Sequence, residues 1–388
     1  MSRYDVAIVG LGAVGAAAAF QLARRGVRVI GFDKFDPPHS LGSSHGDTRI
    51  TRLAIGEGDY LTPIVRRSHE IWREIESETG TSLLTQCGGL IISSQSTAAE
   101  THVKGFFGNT VRAAERFRIA HEVMGASEIR SRFPQCAARD GEVGYYEPEA
   151  GFVRPEACVQ AELALARLGG ADLRMNEEVL NFTSSAPGVE ITTTHGTYSA
   201  DRLIVSAGAW LPGLIGPDVA RVFKIYRQAM LWFDVSNSYE AFVPERFPIF
   251  IWEPQNTAHG IYGFPAIDGP NGGIKVASES FTATTTASDI ERNVSRDEIA
   301  YVYDSLVAPH LRGVGPRCVR SATCLYTVTP DFGFVIDTHP EGERVIIASP
   351  CSGHGFKHSA AIGEALADLV TGQPPRFDLS PFRLSRFR

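Results

Sequence analysis

Between Tyr4 and Asp33 the chain leaves itself little freedom. "YDVAIVG" (4–10) is a short run rich in Val and Ile, suited to a strand covered on both faces. "LGAVGAAAAFQLARRG" reads as a helix ending at Gly26, and "VRVIGFD" (27–33) as a second buried strand that ends on an acid. Gly10, Gly12 and Gly15, with Ala13 and Val14 between the last two, therefore stand where a strand turns into a helix. Glycines at this spacing permit a tight turn and let a pyrophosphate approach the helix N-terminus. Asp33 follows Gly15 by 18 residues, close to the ~20 expected for an acid that binds a ribose hydroxyl. A carboxylate there repels a 2′-phosphate, which argues against NADP. The expected architecture is α/β with a Rossmann-like domain. The motif selects a dinucleotide but not between NAD and FAD.

The 388 residues, 43% of them hydrophobic, give room for two domains and a large core. A net charge of −7 argues against nucleic acid and acidic membranes as partners. The six cysteines (Cys87, Cys136, Cys158, Cys318, Cys324 and Cys351) contain no CxxC and no metal-type spacing. They read as separate reduced thiols, with no metal site. The apolar N-terminal stretch lacks a basic leader and is broken by the Gly-rich turn, so it reads as core rather than as a signal peptide. A soluble, cytoplasmic protein is expected.

Further along, "YLTPIVRRSHEIWREIESETG" and "RPEACVQAELALARLGG" (154–170) read as helices, and "CGGLIISS" (87–94) as a strand. Residues 188–210 alternate as a hairpin about His195-Gly196 and then enter a buried strand ending at Ala207-Gly208. From 218 to 317 the pattern changes to alternating strands, followed by one helix with a capping box at Ser295 and Glu298. "ERVIIAS" (343–349) restores the buried-strand signature. We expect a discontinuous nucleotide domain (1–85, 150–215 and 318–388) and a mainly antiparallel β-sheet substrate domain (86–149 and 216–317). The helix after 350 opens unusually: "CSGHGFKHSAAIGEALADLVTG" has no acidic cap and places Lys357 at a terminus that already carries partial positive charge. Such a start implies an anion.

Several segments then converge on one family. Gly10 to Gly15, "DPPH", "SSHGDTR", "GIYGFP", "TCLYT", "SGHGFK" and the tail "DLSPFRLSRF" resemble, in order, the monomeric sarcosine oxidase and N-methyltryptophan oxidase family. These are FAD-dependent amine oxidases of the D-amino-acid-oxidase-like superfamily, and the likeness runs from residue 4 to the C-terminus. It implies FAD rather than NAD, a small amino acid substrate, molecular oxygen as acceptor, and a monomer. By the same resemblance, Ser352, Gly353, His354, Gly355, Phe356 and Lys357 lie against the flavin ring, where backbone donors favour its reduced, negatively charged state. Lys357 and Arg52 would pair with the substrate carboxylate, and Tyr262 would stand beside the substrate. Arg49, with His45 close by, would sit at the other flavin face. Lys34, Ser43, Ile50, Val179, Ala207, Gly208 and Trp210 are placed around the cofactor. Cys324 falls where the family attaches its flavin through a thioether; alone, such a cysteine is a small buried hydrophobe. Lys275 corresponds to the lysine that assists reaction with oxygen.

The departures concern the substrate. Where relatives carry histidine four residues after that lysine, this chain has Glu279, on the same face of a regular strand. Glu279 would pair with Lys275 or hold a polar group of the substrate, unless the strand ends near Ser278 and leaves it solvated. The residue before "SGHGFK" is aromatic or aliphatic in relatives and is Cys351 here. Trp252 and Glu253 are further candidates for the cavity wall. The resemblance implies an oxidase of an N-methyl or cyclic amino acid, not optimised for sarcosine, giving an imine and hydrogen peroxide. An imine-forming tailoring oxidase, or a dehydrogenase passing electrons elsewhere, shares the same signature.

Overall fold

The computed structural model describes residues 3–94, 103–254 and 260–387. Its first sheet has eight strands. Tyr4–Val9 lies at the centre, parallel to Val29–Phe32 on one side and Thr197–Val205 on the other. Asp172–Arg174 extends the first flank, and Gly342–Ser349 runs parallel to Thr197–Val205. Val6 and Ile8 join the core beneath one face, whereas Ala7 and Val9 join the core beneath the other. A strand covered on both sides has no polar face to display, which is why its sequence is continuously apolar.

Helices Ala13–Ala23, Thr62–Thr79, Pro155–Leu168 and Ser359–Val370 contribute to the first of these cores. The helix after the Gly turn is rich in alanine because its neighbour comes very close. A Cβ added to Gly363 would lie 2.4 Å from the Cβ of Ala17. Glycine at 363 thus sets the spacing of the two helices that flank the nucleotide turn and the 350–357 segment.

The second sheet has nine strands and is mostly antiparallel. Lys224–Phe233 pairs with Cys318–Val328 and Ile274–Ser278, and the order continues through Ile261–Gly263, Ile249–Glu253, Gly89–Ser93, Val143–Glu147 and Glu122–Gly125. A small third sheet joins Arg49–Thr51, Gly151–Val153 and Leu84–Gln86. No helix among the described residues is long and apolar enough to cross a membrane.

Three details differ from the sequence reading. Cys318–Val328 pairs along Lys224–Phe233 in the second sheet, so the boundary drawn at 318 falls on the wrong side of this strand. The helix after 350 begins only at Ser359, after a 3-10 turn over Phe356–His358. The cause lies at Gly355, where an added Cβ would sit 1.6 Å from the carbonyl oxygen of Pro350. The chain doubles back there before it can coil. Finally, Ser295 caps its helix by accepting from Glu298 N at 3.1 Å, but the Glu298 carboxylate turns to Arg227 at 2.8 and 3.1 Å. Only half of the reciprocal box forms.

Candidate active site

Between the two large sheets lies a cavity of about 750 Å³. At one end it meets the Gly-rich turn. Gly10 has φ +86°, and a Cβ on it would lie 2.6 Å from Ser206 O. A Cβ on Gly12 would meet nothing nearer than Ser44 Oγ at 3.6 Å, so the space above it belongs to the cavity. Ala13 and Val14 line the same wall. Gly15 does not reach it; an added Cβ would lie 1.8 Å from Gly10 O, so this glycine serves the turn's internal packing.

Asp33 lines the cavity, but its oxygens are already engaged. Oδ2 accepts from Leu11 N at 2.8 Å and Oδ1 from Phe35 N at 2.9 Å. Burial raises its pKa, against the pull of those two backbone bonds. Lys34 pairs with Glu178 at 2.8 Å. Ser43, Ile50, Val179, Ala207, Gly208 and Trp210 complete the expected lining. The sequence reading missed Phe35 and His39, which meet edge to face, with Phe35 also set edge-on to Trp210.

The turn between Ser43 and Arg49 holds the next group. Arg49 folds back on it, donating from Nη2 to Ser43 O at 2.7 Å and from Nη1 to Thr48 O at 2.9 Å. Lys275 projects from its strand on the side opposite Ile274 and Val276, which enter the second core. Its ammonium donates to Gly46 O at 2.7 Å and Thr48 O at 2.6 Å, 4.1 Å from the centre of the Phe264 ring. Burial pushes its pKa well below the ordinary lysine value, and Arg49 adds to the fall. Burial and the charges of Arg49 and Lys275 pull His45 down to about 3, leaving a neutral imidazole. Its Nε2 has no hydrogen-bond partner among the described residues.

Cys324 is buried on the same side of its strand as Tyr326, which lines the cavity and meets Tyr262 hydroxyl to hydroxyl at 3.2 Å. Burial raises the thiol's pKa, opposed by Arg49 and Lys275. Ser352, at φ +44°, is also off the wall; its Oγ donates to Gly333 O at 2.7 Å and fixes the bend before Gly353. The remaining segment, Gly353 to Lys357, faces the cavity.

Arg52 and Lys357 converge, and they do so on a carboxylate of this chain. Glu57 Oε2 lies 2.6 Å from Arg52 Nη2, and Oε1 lies 3.5 Å from Lys357 Nζ and 3.8 Å from His354 Nδ1. The Lys357 ammonium also donates to His354 O at 2.7 Å, and Arg52 Nη1 donates to Ala54 O. The Phe106 ring covers the guanidinium at 4.9 Å. Arg52, Glu57 and Lys357 side chains are only 3, 5 and 5% exposed, and breaking a pair this deep typically costs about 3–5 kcal/mol. Burial brings Lys357 down to about 8; Glu57 partly offsets this and Arg52 reinforces it. Glu147 steadies the segment by accepting from Leu53 N at 2.6 Å and Ala54 N at 3.2 Å. Glu57 was legible as an acid set between glycines five residues after Arg52; its role was not.

Glu279 lines the cavity although its strand ends at Ser278. Its Oε1 would lie 3.3 Å from a Cβ on Gly353, and it helps to raise the Lys357 pKa. The Lys275 ammonium is directed to backbone carbonyls instead. Cys351 also lines the cavity, its Sγ 3.4 Å from Thr327 N. Trp252 and Glu253 do not reach it. Both are buried, and the Trp252 indole donates to Glu142 at 3.0 Å.

An FAD-sized group suits this arrangement. The open space over Gly12 and the glycine-rich bend at 353–355 form a cradle running from the nucleotide turn to the second sheet, with His45, Lys275 and Cys324 buried behind its lining rather than on it. Fold and cavity define a dinucleotide-dependent oxidoreductase. Residues 5–369 match the DAO family, FAD dependent oxidoreductase, and the chain belongs to that family. It is 40% identical to the monomeric sarcosine oxidase of Streptomyces avermitilis over 95% of this chain and 93% of that one. It is 34% identical to the N-methyl-L-tryptophan oxidase of Salmonella heidelberg over 99% of each. Among solved structures, the open form of NikD, described as an unusual amino acid oxidase essential for nikkomycin biosynthesis, superposes with a TM-score of 0.85. It is 25% identical, with 99% of this chain and 98% of that one covered. The fold is shared also with glycine oxidase from Geobacillus kaustophilus, with a TM-score of 0.77 at 23% identity over 100% and 99% of the two chains.

Proposed function

We propose that this chain oxidises the secondary amine of an N-methyl or cyclic amino acid, yielding an imine and, with oxygen, hydrogen peroxide. The observation that carries the reading is the convergence of Arg52 and Lys357 on one carboxylate position, now held by Glu57. A substrate carboxylate entering there displaces Glu57 and leaves the amine end facing Tyr262 and Tyr326. FAD supplies the hydride acceptor. The chain's own residues bind the carboxylate, exclude water and hold positive charge at Lys275, so no side chain has to act as a strong base. Gly10 to Val14, Asp33 and the 353–357 segment would hold the cofactor, with Cys324 as its covalent anchor.

Acid precipitation tests the anchor. Flavin absorbance should stay with the wild-type pellet and pass to the supernatant in Cys324→Ser. Freely extracted wild-type flavin would remove the thioether from the account.

Glu279 sets the substrate preference in this reading. A carboxylate on the wall near Lys357 favours a larger amine carrying a donor over sarcosine. Wild type should turn over bulkier N-methyl and cyclic amino acids better than sarcosine, and Glu279→His should regain sarcosine activity. Efficient sarcosine turnover by wild type refutes this.

A further inference from the structure

We infer that Glu156 is a positioning residue for Lys275, acting through the turn Gly46–Thr48 that lies between them. The inference rests on the reading above, in which Lys275 serves the oxygen step. Glu156 stands in the first turn of the helix Pro155–Leu168, where an acid ordinarily needs no explanation beyond the helix dipole. Its Oε1, however, reaches a distant segment. It accepts from Gly46 N at 2.5 Å and from Asp47 N at 3.1 Å. The carbonyls that receive the Lys275 ammonium, Gly46 O and Thr48 O, belong to the same turn.

The N–H of Asp47 and the C=O of Gly46 are the two ends of one peptide group. A carboxylate at the N–H end polarises that group and makes its carbonyl end a stronger acceptor. Carboxylate, peptide and ammonium thus form a relay of three members. The turn has reason to be fastened, since Gly46 and Asp47 both have positive φ, +96° and +66°. On its other side the Asp47 side chain pairs with Arg320, whose guanidinium lies 3.8 Å from the centre of the Trp232 ring. That ring in turn lies 5.7 Å from Lys275 Nζ.

The charged and titratable groups that act on Lys275 are Arg49, which opposes its proton, and Glu156 and Cys324, which favour it. His45 nearby is neutral. Removing the negative charge at 156 therefore lowers the Lys275 pKa further. The ammonium is then lost at a lower pH, while its carbonyl partners also become weaker acceptors.

The test compares the wild-type holoenzyme with Glu156→Gln, Glu156→Asp and Lys275→Met. Stopped-flow records flavin reduction by the amine without oxygen, then reoxidation by oxygen across pH. Side-chain NMR of isotope-labelled lysine follows the Lys275 Nζ resonance, assigned by its loss in Lys275→Met. In Glu156→Gln, reduction should stay within about twofold of wild type. The alkaline fall of reoxidation and the Nζ titration should both move down by about one pH unit, a roughly tenfold loss at a fixed pH on that limb. Glu156→Asp, which keeps the charge, should abolish most of the shift. If Lys275→Met reoxidises slowly while Glu156→Gln leaves the pH profile and the Nζ titration unmoved, the role of Glu156 is overturned alone. Equal slowing of both half-reactions with an unmoved titration marks a general structural role and overturns it as well. Undiminished reoxidation in Lys275→Met instead overturns the oxygen role of Lys275 on which the inference rests.

Discussion

In Lys275→Met, reoxidation of the reduced flavin by oxygen should slow by about a thousandfold, far more than its reduction by the amine. The ammonium sits among Phe264, Trp232 and backbone carbonyls, with little water to screen it. A fixed positive charge in such surroundings stabilises the negative charge that develops as oxygen takes its first electron, by an amount on the order of 4 kcal/mol. Methionine keeps the length of the side chain and removes the charge, so the cavity keeps its shape. Stopped-flow reoxidation at the wild-type rate would take Lys275 out of the oxygen chemistry.

Lys357→Met and Arg52→Ala should each weaken simple carboxylate inhibitors by roughly 1.5–3 kcal/mol, the range for hydrogen bonds to charged groups. The internal carboxylate makes a sharper expectation possible. Glu57 occupies the position an incoming carboxylate needs, so Glu57→Gln should tighten inhibitor binding at neutral pH. The sign of the pH dependence follows from Lys357, whose pKa is lowered to about 8. Below that value the ammonium is present and binding is strong; above it the cation is lost and affinity falls. Glu57 supports the proton on Lys357, so the alkaline limb in Glu57→Gln should begin at lower pH, and in Lys357→Met it should vanish. Inhibitor titrations by flavin absorbance across pH measure all of these. Undiminished affinity in both cation variants would place the carboxylate site elsewhere.

Much of the nucleotide end was legible because its signals are local. Glycines at a strand-to-helix turn, a continuous apolar strand and an acid at the next strand's end each reflect a few neighbouring residues. Gly10, Gly12 and Asp33 line the cavity, whereas Gly15 serves the turn itself. Residues whose roles come from distant partners were legible only by resemblance or not at all. Arg52 and Lys357 meet across most of the chain, and nothing in either neighbourhood announces the other. Glu156 reads as an ordinary first-turn acid until its oxygen is found on Gly46. Cys318–Val328 shows no alternation, its last six residues all being buried, and only pairing with Lys224–Phe233 assigns it to the second sheet. Trp252 was misplaced because strand periodicity gives a face but not what covers it; that face is closed by His310, its ring 5.0 Å away.

The central strand Tyr4–Val9 has a consequence for how the protein is made. It is made before both of its neighbours, and one of them, Thr197–Val205, follows it only far along the chain. Ser206, which hydrogen-bonds the Gly10 carbonyl at 2.9 Å, arrives with that neighbour, and the 353–357 wall arrives later still. Until then the nascent chain shows an apolar strand with an unpaired edge, the kind of surface chaperones shield. A half-made chain therefore has no closed cradle in which to retain a dinucleotide. Cofactor loading must wait until the 353–357 segment has been made, so the yield of active enzyme should depend on flavin supplied after that point rather than before it.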